Sequence, residues 1–226
     1  MQLYHVLNRG VDGRSLFTDD HDRLRFVHDL YEFNDAAPIL NVRYRLKNKG
    51  LVNPYMPARE RQLLVDIHGW VLMKNHYHLL LSERVENGIS SFLRKLNTGY
   101  ANYFNERNKR QGALFQGRTK KILIAHDAHL LYILHYIHLN PLDYLEDARQ
   151  WRLRSKGKIA SATRALEHLT SYRWSSYPDY AGQKNFPSLL TTSFFKEALG
   201  DMNSALREYL ALSEQESAEE AQLTLE

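Results

Sequence analysis

Four strand-like and three helix-like segments, in the order strand, helix, strand, strand, helix, strand, helix, predict an α+β protein. That order is the split βαβ pattern of a ferredoxin-like antiparallel sheet, with one helix added after the fourth strand. The strand-like runs are short and alternating, and the helical runs carry their apolar residues on one side. Such a domain places helices on one face of the sheet and leaves the other face open for a site.

Each element has a local reason. Residues 3–9 read as a strand closed by Gly10 and the turn-prone Asp12-Gly13. Thr18 or Asp19 can cap a helix running to about Asn34, with Leu24, Val27, Leu30 and Tyr31 on its apolar face. A polar stretch with Pro38, Pro54 and Pro57, and basic residues from Arg43 to Lys49, reads as a loop insertion over 36–62. Residues 64–73 and 77–82 are two strands joined by a polar turn at Lys74-Asn75. Residues 87–107 form a long amphipathic helix through Phe92, Leu93, Leu96, Tyr100, Tyr103 and Phe104, which Gly112 breaks. Residues 120–125 are the fourth strand, and a helix over 127–140 stops where Pro141 disfavours α conformation before it. One domain is expected over 1–145, a helical extension packed on it over 146–212, and a disordered acidic tail over 213–226.

Composition narrows the class. The chain has 226 residues, 43% hydrophobic and 25% charged, as in an ordinary globular domain. It has no cysteine, which excludes disulfides and thiolate metal sites. No apolar run is long enough to span a bilayer, and the first residues lack the pattern of a signal peptide, so a cytoplasmic, nucleoid-associated location is expected. The net charge of +4 hides an asymmetry. Residues 196–226 hold two basic against eight acidic side chains, a balance of −6, which leaves +10 for residues 1–195. A basic body suits a polyanionic partner, though charge alone fits plain solubility equally well.

Two short patterns could carry chemistry. In His76-Tyr77-His78 the strand alternation puts both imidazoles on one side, with Tyr77, Leu79 and Leu81 facing the helices. Two imidazoles so spaced can chelate one divalent ion, but a bare His-x-His more often belongs to a half-buried strand. In the second pattern, Tyr136 and Asn140 are four apart, one turn along the same helical face. Asn140 could add an oxygen ligand while Tyr136 points at a phosphate; equally, the tyrosine could pack and the asparagine end the helix. Among the other tyrosines, Tyr132 shares this face but lies two turns from Asn140, Tyr100 and Tyr103 fit apolar spacing, and Tyr4, Tyr77 and Tyr144 have no polar partner at helical spacing. Basic residues cluster where a nucleic-acid strand could lie: Arg9, Arg94, Lys95, Arg107, Lys109, Arg110, Arg118, Lys120 and Lys121, with Phe115 and Gln116 interleaved to stack on or bond to unpaired bases. An ordinary solvated turn accounts for the same residues.

Five blocks in order change this balance: Tyr4-His5-Val6-Leu7-Asn8-Arg9-Gly10, the run from Val71 to Leu81 around the histidines, Gly112-Ala113-Leu114-Phe115-Gln116-Gly117-Arg118, Tyr136-Ile137-His138-Leu139-Asn140-Pro141, and Trp174-Ser175-Ser176-Tyr177. Together they resemble the HUH single-tyrosine transposases of insertion sequences, in particular the REP-associated tyrosine transposase branch, over roughly residues 2–182. The resemblance implies that His76 and His78 bind a divalent metal (Mg2+ or Mn2+), that Asn140 assists as a ligand, and that Tyr136 is the nucleophile. It also implies DNA hairpins and adjacent single-stranded DNA as partners, no membrane, and a monomer or homodimer. The phenol needs a deprotonating influence, from the metal or from a base such as His135 or His138. Lys74 stands where the family commonly has proline, Tyr77 takes the hydrophobic middle position of the motif, and the segments at 36–62 and 145–170 are long. A hydrolytic nuclease and a DNA-binding regulator that no longer cuts are the rival expectations.

Overall fold

The computed structural model describes residues 1–37, 60–125, 127–148, 151, 159–199 and 204–211. The expected insertion at 36–62 therefore lies largely, and the tail at 213–226 wholly, outside the described residues, as do 149–150 and 152–158 of the long segment at 145–170.

Four strands, β1 (Leu3–Arg9), β2 (Val65–Met73), β3 (His76–Glu83) and β4 (Lys120–Ile124), form one antiparallel sheet in the order β2-β3-β1-β4. The first strand pairs with the third and fourth but not with the second, which is the ferredoxin-like arrangement. Two helices, α1 (Asp20–Glu32) and α2 (Gly88–Arg107), cover one face. Val6, Trp70, Leu72, Tyr77, Leu79 and Leu81 meet Phe26, Leu30, Phe92, Leu96 and Tyr100 there in the main core. Tyr77, Leu79 and Leu81 point as the strand alternation requires.

The apolar face of α1 differs from the expected one. Leu24 and Tyr31 are exposed, while Phe26, Val27 and Leu30 are buried with Phe33 just beyond the helix. The large aromatics set the rotation of the helix, and Arg61 covers the displaced Tyr31 ring with its guanidinium 3.8 Å from the centroid. Asp19 caps the helix by accepting from Asp22 N.

The added helix, α3 (Asp127–Leu139), lies on the face that α1 and α2 leave open. Ile133, Leu134 and Ile137 pack there on Leu3, Val71, Met73 and Leu80. Gly69 of β2 makes the approach possible, since a Cβ at this position would stand 2.7 Å from Leu134 Cδ1. Beyond α3 come α4 (Ala162–Ser171), α5 (Tyr177–Tyr180) and α6 (Ser193–Leu199). Leu139, Leu142, Trp151, Leu169, Tyr177, Leu206 and Leu210 form a third cluster there. This part is tied to the sheet as well: Leu72 N donates to Trp174 O, Ser176 N donates to Trp70 O, and Val71 bridges Ser175, so residues 174–176 extend β2 at its outer edge. Among the described residues no helix is long and apolar enough to cross a membrane.

Candidate active site

The register of β1 on β3 builds the site. Arg9 faces His76 and Leu7 faces His78, so His5, Leu7 and Arg9 share a sheet face with both histidines. The two histidines follow the Lys74-Asn75 turn, which is held in place by Gly10 N donating to Asn75 O at 2.8 Å. Gly10 is needed at this crossing, because a Cβ would sit 2.2 Å from Arg14 O.

Both rings are engaged at Nδ1. His76 Nδ1 lies 2.8 Å from Asn75 Oδ1, and His78 Nδ1 lies 2.8 Å from His5 Nε2. An amide oxygen only accepts, so His76 carries its proton on Nδ1 and keeps on Nε2 the lone pair that a metal could take. Two imidazoles sharing an ion at about 2.1 Å have centroids about 5 Å apart, and those of His76 and His78 are 5.1 Å apart. The pair is spaced as two ligands of one divalent ion would be. Among the described residues no third imidazole or carboxylate closes on both rings; the one convergent His/Asp group is Asp19, His21 and Asp22. That group is a structural clamp at the start of α1: Arg107 pairs with both aspartates, and Tyr103 bonds to Asp22 and His21. The guanidinium holds Asp19 well below the usual carboxylate range.

Tyr136 comes to the histidines on α3. Its half-buried ring meets His78 edge-on at 5.6 Å and His5 at 6.1 Å, with Trp151 at 5.6 Å on another side. Asn140, fully buried one turn on, donates its Nδ2 to Tyr136 O at 2.6 Å, which makes Oδ1 the end that could ligate. Other tyrosines have structural partners: Tyr77 bonds to Asn97, Tyr100 to Leu16 O and Tyr103 to Asp22, while the Tyr144 hydroxyl accepts from Lys74 N. Tyr132 is 47% exposed beside Tyr136, with centroids 6.1 Å apart.

A polar pin seats α3. His138 Nε2 lies 2.9 Å from Ser176 Oγ, which also accepts from Trp70 N at 2.9 Å. His138 is fully buried between Tyr177 and Tyr180, and burial lowers its pKa to about 3. It is a neutral anchor facing the C-terminal segment, and the expectation of a base for the phenol does not fit it. His135, whose ring approaches Tyr209, is also kept neutral by burial. The imidazoles beside the Tyr136 ring are His78 and His5, and burial lowers the pKa of His5 to about 4.

The basic residues divide between the two faces. Arg9, exposed beside His76, donates through Nε to Gln116 Oε1 at 2.5 Å, and Gln116 N donates to Arg9 O. Lys120 faces Leu7, so it is on the histidine side, with Ile122 exposed two residues further. Lys121 points to the helix side and donates to Ser90. Arg94 is exposed on α2, also on the helix side, and Arg118 is exposed before β4. Lys95 donates to the carbonyls of Asp35 and Ala37, and Arg110 to Asn105 Oδ1 and Ala113 O, so these two cations shape the chain around them. Phe115, expected to meet unpaired bases, packs inward near Tyr77 and Tyr100. His5, Trp151 and Ser176 are the contributors that sequence reasoning had not placed in the site.

Residues 51–140 match the family model described as "Transposase IS200 like", a span that contains His76, His78, Tyr136 and Asn140. Over this span the chain is similar to the IS200-like transposases. No curated protein matches the chain. Among solved structures, a REP-associated tyrosine transposase bound to a REP hairpin has a TM-score of 0.47 and 14% identity, covering 84% of each chain. Within this fold, the blocks of sequence acquire separate jobs. The first sets His5 against His78 and Arg9 against Gln116; the last, residues 174–177, fastens the helix that bears Tyr136.

Proposed function

We propose that this chain is an IS200-like transposase, a metal-dependent endonuclease and strand transferase for single-stranded DNA beside hairpins, with Tyr136 as its nucleophile. The observation that carries the reading is the edge-on approach of the Tyr136 ring to His78 at 5.6 Å, with Asn140 one turn along the same helix.

His76, His78 and Asn140 would hold the divalent ion, Mg2+ or Mn2+, which when bound would supply charge stabilisation at the scissile phosphate and the leaving oxygen. Tyr136 Oη forms a bond to phosphorus as the bond to the 3′ oxygen breaks. The products are a 5′-phosphotyrosine and a strand ending in a 3′ hydroxyl, so the phenol proton is balanced by the one gained at the leaving oxygen. Attack by a 3′ hydroxyl on the phosphotyrosine reverses the exchange and joins strands. Arg9, Gln116 and Lys120, on the histidine side of the sheet, guide the backbone towards this point. Arg94, Arg118 and Lys121 lie further round and serve the hairpin, while Lys95, Arg110 and Phe115 hold the protein surface in shape.

The test is to incubate the chain with a hairpin oligonucleotide carrying a single-stranded flank, with Mg2+ or Mn2+, and separate the products under denaturing conditions. A covalent protein–DNA band that needs metal, both histidines and Tyr136 supports the transferase. Cleavage without the band assigns a hydrolase, and binding without cleavage a regulator.

A further inference from the structure

We infer that His5 is a positioning residue for the metal ligand His78, a role that rests on the proposed metal reading of the histidine pair. A 2.8 Å bond that joins two imidazoles edge to edge sets their centroids about 5 Å apart. The observed separation is 5.0 Å with the planes only 14° apart, so the rings of His5 and His78 lie nearly coplanar, and the bond runs within both. Face-to-face stacking would not bring Nε2 of one ring to 2.8 Å from Nδ1 of the other at that separation.

The bond has two possible directions. If His78 Nδ1–H donates, its Nε2 keeps the lone pair that a metal takes; if His5 donates, the proton of neutral His78 stays on Nε2 and blocks coordination. His76 shows which direction the site requires, since Asn75 Oδ1 can only accept from its Nδ1–H. His5 therefore does for His78 what Asn75 does for His76: it accepts the Nδ1 proton and fixes the ring rotation. Both rings of the His5–His78 pair are at least nine-tenths buried, so water competes little for the bond. This gives the histidine of the first sequence block a purpose. A ligand oriented in this way loses roughly 10- to 100-fold in metal affinity when its partner is removed.

The experiment uses the full chain in three forms: wild type, His5→Ala and His5→Gln, whose amide oxygen can accept the same proton. Mn2+ binding is titrated by electron paramagnetic resonance without DNA, thermal unfolding checks the fold, and pulsed methods count coordinated imidazoles. The expected result is two imidazoles in wild type, affinity weakened about 10- to 100-fold in His5→Ala, and recovery to within a few-fold in His5→Gln. Unchanged affinity in folded His5→Ala, or a third imidazole in wild type, overturns the role. Should His5→Ala not fold, long-range 15N–1H correlations on the metal-free wild type decide: a proton on His78 Nδ1 supports the role, and one on Nε2 overturns it. Wild type that binds no Mn2+ through histidine removes the metal reading itself, an outcome distinct from the loss of His5's part alone.

Discussion

Replacing Ser176 by alanine removes one oxygen that serves three elements. Ser176 Oγ lies 2.9 Å from His138 Nε2 on α3 and accepts from Trp70 N on β2 at 2.9 Å, while its own segment extends the sheet. All three residues are fully buried, so neither stranded group regains water. Leaving a buried polar group without its partner costs about 1–3 kcal/mol, so the two together cost about 2–6 kcal/mol. For a chain of this size that corresponds to a fall of roughly 4–24 °C in Tm. The helix that loses the pin is the one that presents Tyr136, and a misplacement of about 1 Å at a reacting group can cost about 100-fold in rate. Ser176→Ala should therefore slow formation of the covalent DNA adduct about 10- to 100-fold with little change in hairpin affinity. Urea unfolding gives the stability and single-turnover gels give the rate. The double variant Ser176→Ala/His138→Leu should recover part of the loss, because an apolar pair strands no polar group on α3. Stability within about 0.5 kcal/mol of wild type and an unchanged rate in Ser176→Ala would refute the reasoning.

Further outcomes follow from the same structure. Burial lowers the pKa of His5 to about 4 and of His138 to about 3, and lowers those of His68 and His135 too. The unfolded chain then binds protons below about pH 6.5 that the folded chain refuses, so stability is full above that pH and falls as pH drops towards the folded values. His5 and His138 alone give a slope of about 3 kcal/mol per pH unit near pH 5, measurable by urea unfolding at pH 7.5, 6 and 5; a flat profile contradicts the buried neutral assignment. Arg9→Ala and Lys120→Ala should each reduce the salt dependence of single-strand binding by nearly one counterion in fluorescence titrations, whereas Lys95→Ala should lower stability and leave that slope alone. His76→Ala and His78→Ala should abolish nicking while gel-shift affinity for the hairpin stays within a few-fold.

Much of the fold was legible because its signals are local. The β1 bounds agree with alternation, those of β2, β3 and β4 differ by one residue at one or both ends, and the shared face of His76 and His78 follows from strand geometry alone. The readings that failed depend on distant partners. Leu24 and Tyr31 looked apolar enough to face the core, but the rotation of α1 is decided by Phe26 against Tyr77 and Tyr100. Lys95 looked available for phosphate, and three-dimensional closure turned it onto the carbonyls of Asp35 and Ala37. His5 is 73 positions from His78, and only the β1–β3 register brings them together. Ser176 reaches His138 and Trp70 by an added edge pairing that no periodicity announces. The Tyr136–Asn140 spacing was readable as one helical face, but its approach to the histidines depends on Gly69 admitting α3 to the sheet.

The most direct measurement of the proposed chemistry is mass spectrometry of the DNA adduct trapped on wild-type protein and digested with trypsin and nuclease. The modified peptide also contains Tyr132 and Tyr144, so fragmentation must assign the phosphate within it. A single 5′-phosphorylated nucleotide remnant on Tyr136, absent from the Tyr136→Phe protein, is the predicted result. The same remnant on Tyr132, or a persisting adduct in Tyr136→Phe, would contradict the assignment of the nucleophile.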